Sequence, residues 1–123
     1  MVTNFETITE ELSDDEVKLI PILISGFKTH YKVNPIKAPD IISAINAKRD
    51  TYNLKAKFTE PRLRKCCNYI RSNGLIPLIA TSNGYYVSFD KEEISSQITS
   101  LIERSNSILK SAEGLKKFIE PKI

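Results

Sequence analysis

The chain has 123 residues, 41% apolar and 27% charged, which fits one domain able to bury a core without disulfides or a metal. Its net charge is +3; it has no run of about 18 apolar residues and no basic-then-apolar leader, so neither a membrane span nor export is expected and the chain reads as cytoplasmic (intracellular). The only cysteines, Cys66 and Cys67, are adjacent, the four glycines are isolated and His30 is the sole histidine, which speaks against structural disulfides, a zinc site, a phosphate loop, a cofactor and an enzyme.

In chain order, residues 1–12 read as an N-terminal arm, 13–89 as the folded domain and 90–123 as a long C-terminal helix. Ser13-Asp14-Asp15-Glu16 predicts a capping box, with Leu12 and Val17 at the positions of a hydrophobic staple. The helix that follows runs through Leu19, Ile20, Ile22, Leu23, Ile24 and Phe27, apolar nearly all round, with Pro21 inside it. Asn34-Pro35 marks a turn, and Pro39 suits the first turn of a second helix with Ile41, Ile42, Ala44 and Ile45 on its buried stripe. Residues 46–57 read as a polar, basic connection.

Thr59 is the expected cap of a third helix over 60–73, with Phe58 and Leu63 at staple spacing and Leu63, Cys66, Cys67 and Ile70 as its apolar stripe. Buried thiols there are core residues rather than nucleophiles. Asn73-Gly74 ends the helix. A hairpin follows: residues 76–80 and 85–89 flank Ser82-Asn83-Gly84. With Asn83 and Gly84 as the two turn residues, Leu78 would face Phe89 and Ala80 would face Val87. Pro77 puts the first strand at an edge.

Asp90 and Glu93 start the last helix. Ile94, Ile98, Leu101, Ser105, Ile108, Ala112, Leu115 and Ile119 recur at spacings of four and three, a heptad seam. Such a helix either folds back over the core or pairs with a second copy. The second is preferred, giving a homodimer held by Ile94, Ile98, Leu101, Ile108 and Leu115.

Charge points to a partner. Residues 1–20 carry six acids and one base, residues 21–80 carry eleven bases and three acids, and residues 81–123 carry six of each. A basic middle suits an anionic partner. On a wheel of about 100° per residue, Lys65, Asn68 and Ser72 centre the outward side of the third helix. Arg64 and Arg71 flank one edge, and Arg62 and Tyr69 the other. Asn and Lys suit base edges, and flanking arginines suit phosphates. Lys55 and Lys57 add phosphate contacts. Ser82, Asn83, Gly84 and Tyr85 would meet the backbone at the hairpin tip.

The run Thr59-Glu60-Pro61-Arg62-Leu63-Arg64-Lys65, then Asn68-Tyr69-Ile70-Arg71, Gly74-Leu75-Ile76-Pro77 and Ser82-Asn83-Gly84-Tyr85-Tyr86 resembles winged-helix DNA-binding proteins. It is most similar to small ones of phages and bacterial mobile elements, over roughly residues 36–119. The resemblance implies DNA binding in phage replication or transcription control. Arg62, Arg64, Lys65, Asn68 and Arg71 would then have the recognition role, and Asn83, Gly84 and Tyr85 the wing role. Residues 46–58 depart from the pattern, being longer than a tight helix-turn-helix turn.

The expected fold is therefore α+β, mostly α: a winged helix-turn-helix of three helices and a two-stranded wing hairpin, with a long C-terminal helix. The expected partner is double-stranded DNA, bound by helix 60–73 in the major groove and wing 81–86 on the backbone. The alternative is a winged-helix adaptor that binds a host or replication protein without DNA.

Overall fold

The computed structural model describes residues 11–120; most of the arm expected over 1–12 lies outside them. The protein is α+β and mostly helical, with a two-stranded antiparallel hairpin and a long C-terminal helix. It divides into two compact units, Met1–Phe89 and Asp90–Ile123. No helix among the described residues is long and apolar enough to cross a membrane.

Helix α1 spans Asp14–Phe27. Its capping box is complete: the Glu16 amide donates to Ser13 Oγ at 3.3 Å, and the Ser13 amide donates to Glu16 Oε1 at 2.7 Å. Leu12 packs on the core, but Val17 is exposed, so the expected staple is not closed. One face of α1, through Leu19, Ile20, Leu23 and Phe27, is buried rather than the whole circumference.

Helix α2 spans Ala38–Ala47 and buries Ile41 and Ile45; Ala44 is exposed. The expected connection after it contains a short helix, α3, Arg49–Tyr52. Asn53 ends α3 in the left-handed region, with φ 53°, a conformation that asparagine tolerates better than most residues. The rest of the connection is held by side chains from afar. Both Asp15 carboxylate oxygens accept from the Lys55 amide at 3.0 Å, and Oδ2 also accepts from the Ala56 amide at 3.0 Å. Asn46 grips the Phe58 backbone from both sides: its Nδ2 donates to the carbonyl and its Oδ1 accepts from the amide, each at 2.9 Å. A segment too long for a tight turn thus ends in a defined place.

Helix α4 spans Glu60–Ser72, with Thr59 at the N-cap position and no hydrogen bond from its hydroxyl to the first turn. Phe58 and Leu63 are both fully buried in the core cluster, as their spacing predicts. At the other end Leu75 N–H donates to Ile70 O and Gly74 N–H to Arg71 O, both at 3.0 Å, with Gly74 at φ 60°. This is a Schellman ending, which needs the left-handed glycine.

Strands β1, Leu78–Thr81, and β2, Gly84–Val87, pair with Leu78 opposite Val87, Ile79 opposite Tyr86 and Ala80 opposite Tyr85. The turn residues are Ser82 and Asn83, so the expected register is corrected by two positions. A shift of two keeps each side chain on its face, and Leu78 and Val87 still meet the core. Phe89, expected opposite Leu78, lies outside the ladder and is exposed. The reason is Gly84. Its φ is 127°, and a Cβ there would sit 2.6 Å from the Ile36 carbonyl oxygen. Glycine is needed for close approach inside the strand, not in the turn. Ile36 exchanges both backbone hydrogen bonds with Tyr85, at 2.9 and 2.8 Å. This covers the far side of β2 and leaves β1 at the edge, where Pro77 precedes it.

Helix α5 spans Lys91–Lys116, and none of its 26 residues is buried. Ile119 lies in the turn beyond its end.

Candidate nucleic-acid interface

Helix α4 is positioned from two sides. Leu63, Cys66, Cys67 and Ile70 are completely buried among α1, α2 and the hairpin. A second contact comes from the N-terminus of α1, where Glu16 meets Lys65. The Lys65 ammonium lies 2.8 Å from Glu16 Oε1, with both side chains more than nine-tenths buried.

This corrects the expected centre of the outward face: Lys65 is buried and already paired. The wheel puts it opposite Leu63, but the start of α1 covers that side as well. Asp15 and Glu16 are both buried and bonded. Burial pushes the Glu16 carboxyl up. The Lys65 ammonium and the Ser13 amide and hydroxyl outweigh it, and the net shift is downward. The Asp15 carboxyl is also lowered, chiefly by the Lys55 amide.

The side of α4 left open is narrower and rotated. Arg64, Asn68 and Arg71 are half-buried on it, and Ser72 is exposed. Arg62, on the edge next to α1, is half-buried and close enough to Asp15 to help lower its carboxyl. Glu60 is the acid on the open side, and it pairs with Arg64 at 3.2 Å across one helical turn. Such an exposed pair contributes little and yields readily to a stronger anion. Its spacing of four was visible in the sequence.

The hairpin reaches α4 through Tyr85. Its ring stands 5.8 Å from Phe27 at 45°, and its hydroxyl shares a hydrogen bond with Cys67. Burial pushes the phenol up to about 12, against the influence of the nearby Arg71. Tyr85 therefore packs beside α4 as a half-buried support, not as an exposed tip residue. Gly84 likewise lies against Ile36. Ser82 and Asn83 are the exposed tip. The Asn83 amide donates to Thr81 Oγ1 at 3.1 Å, so that donor serves the turn. Lys55 and Lys57 are exposed in the connection that Asp15 holds.

Cys66 and Cys67 are fully enclosed, and burial pushes each thiol up to about 12. His30 Nδ1 is tied to the Asn34 carbonyl at 2.7 Å. No group of three or more His, Cys, Asp or Glu side chains among the described residues could hold a metal ion.

Comparison with protein-family models, with curated proteins and with solved structures finds no match to this chain.

Proposed function

We propose that this chain is a winged-helix protein that binds duplex DNA, with α4 in the major groove and the β1–β2 hairpin as the wing, in a regulatory or replication-accessory role. One observation carries the reading. The open side of α4 presents Arg64, Asn68, Arg71 and Ser72 together, and its one acid, Glu60, is already paired. Arginines with an amide between them suit phosphates on either side of a base edge. Asn68 and Ser72 take the base-reading role, and Lys65 leaves it. Lys55, Lys57, Arg62, Arg64 and Arg71 supply phosphate contacts, and Ser82 and Asn83 meet the backbone at the tip.

The test is fluorescence anisotropy of a labelled random-sequence duplex at two salt concentrations. Binding that falls steeply with salt, as counterion release requires, and that is lost in the Arg62/Arg64/Arg71 triple alanine variant, supports the reading. A folded protein that binds no duplex at low salt overturns it and favours the adaptor alternative.

A further inference from the structure

We propose that α5 pairs with α5 of a second copy of this chain in antiparallel orientation, with the two-fold axis between Asn106 and Ser107. The helix keeps a heptad seam from Ile94 to Leu115, yet none of its residues is buried, and Ile98, Leu101, Ile108 and Leu115 stand exposed along it. An apolar seam of this length calls for a partner.

Three features of α5 select the partner and its direction. The first is volume. The seam alternates between two kinds of position: one row holds Ile94, Leu101, Ile108 and Leu115, the other Ile98, Ser105 and Ala112. In an antiparallel pair the rows face each other. About the stated axis, Ser105 meets Ile108 of the second copy, Ala112 meets Leu101, and Ile98 meets Leu115. Each small residue is matched by a large one. A parallel pair would set Ser105 on Ser105 and Ala112 on Ala112, leaving two thin layers and the voids that go with them.

The second feature flanks the seam. Ile102 and Leu109 are exposed and lie one step outside it, on the same edge. Antiparallel pairing brings Ile102 of one copy to Leu109 of the other. Parallel pairing would put Ile102 beside Gln97 and Leu109 beside Arg104. The third is charge. From the N-cap Asp90 to Asn106 there are four acids and two bases, and from Ser107 to the C-cap Lys117 three bases and one acid. The helix dipole favours this polarity within one chain. Antiparallel pairing makes it complementary between two.

The proposal does not rest on DNA binding, and its test uses no DNA, so either reading can fail alone. Light scattering of the full chain is expected to give the dimer mass. Ile98→Cys and Leu115→Cys are then treated with a short bis-maleimide, separately and mixed. In the antiparallel pair the two Ile98 positions are about 26 Å apart along the axis, at ~1.5 Å per residue. Neither variant alone should crosslink, while the mixture should give a covalent dimer. A monomer at high micromolar concentration, or efficient crosslinking of either variant alone, overturns the proposal.

Discussion

Lys65 and Glu16 form an ion pair of 2.8 Å that joins the middle of α4 to the first turn of α1, with almost no exposure to water on either side. Breaking such a pair strands a charge. Lys65→Ala is expected to cost about 3–5 kcal/mol, read from urea unfolding. Replacing both, as Glu16→Leu with Lys65→Met, should recover most of that loss. On the proposed DNA reading, the double variant should also keep the wild-type salt dependence, because Lys65 is buried and already paired. A shallower dependence would return Lys65 to the interface.

The same contact sets an acid limit. Asp15 and Glu16 both have folded-state pKa values below their ordinary values of 3.8 and 4.5. Their contribution is therefore complete above the ordinary carboxylate range and is lost as pH falls through the lowered values. Urea midpoints should be flat above about pH 5 and drop below about pH 4. Asp15→Asn and Glu16→Gln should each flatten the drop while lowering stability at neutral pH.

Arg64→Ala and Arg71→Ala should each weaken all duplexes about equally and reduce the salt slope by about 1. Asn68→Ala should instead narrow the gap between preferred and random sites, with little change in slope. Competition anisotropy separates the two. An unchanged gap in Asn68→Ala would remove it from base reading.

Two glycines should respond in opposite directions. At Gly84 a Cβ meets the Ile36 backbone at 2.6 Å, and φ is 127°. Gly84→Ala should destabilise by about 2–4 kcal/mol. At Gly26 nothing lies within 4 Å of an added Cβ. Gly26→Ala should therefore stabilise by about 0.5 kcal/mol through reduced freedom of the unfolded chain. Thermal melts of the two variants give the comparison.

The thiols should be silent in the native state. Cys66 and Cys67 are enclosed, and burial raises both to about 12. Ellman's reagent should react slowly with the folded protein and release two equivalents in denaturant. Fast native labelling would mean that α4 opens more readily than its packing indicates.

Local features were legible from sequence: the Ser13–Glu16 box, the buried Phe58 and Leu63 around the start of α4, the Gly74 ending and the start of α5 at Asp90. Each depends on residues within a few positions of one another. Contacts across long stretches of chain were not legible. Asp15 bonds to the backbone of Lys55, forty residues away, and periodicity holds no trace of it. A helical wheel puts Lys65 outward because it assumes one covered side, and α4 is covered on two. Asn83-Gly84 carries a strong turn signal, and only the nearness of Ile36 shows where the glycine is required. Arg64 and Arg71, expected beside the outward face, are half-buried on the open side of α4, and Lys65, expected at its centre, is buried.

The Ile36–Tyr85 bridge changes what kind of object the hairpin is. Anchored by two backbone hydrogen bonds on one side of β2 and by the Leu78 and Val87 side chains beneath, its stem is part of the core that α1, α2 and α4 share. At the turn, the Ser82 and Asn83 side chains are exposed. On the proposed reading, a partner would therefore meet a held stem with Ser82 and Asn83 exposed at its end, and little entropy would be lost in fixing it.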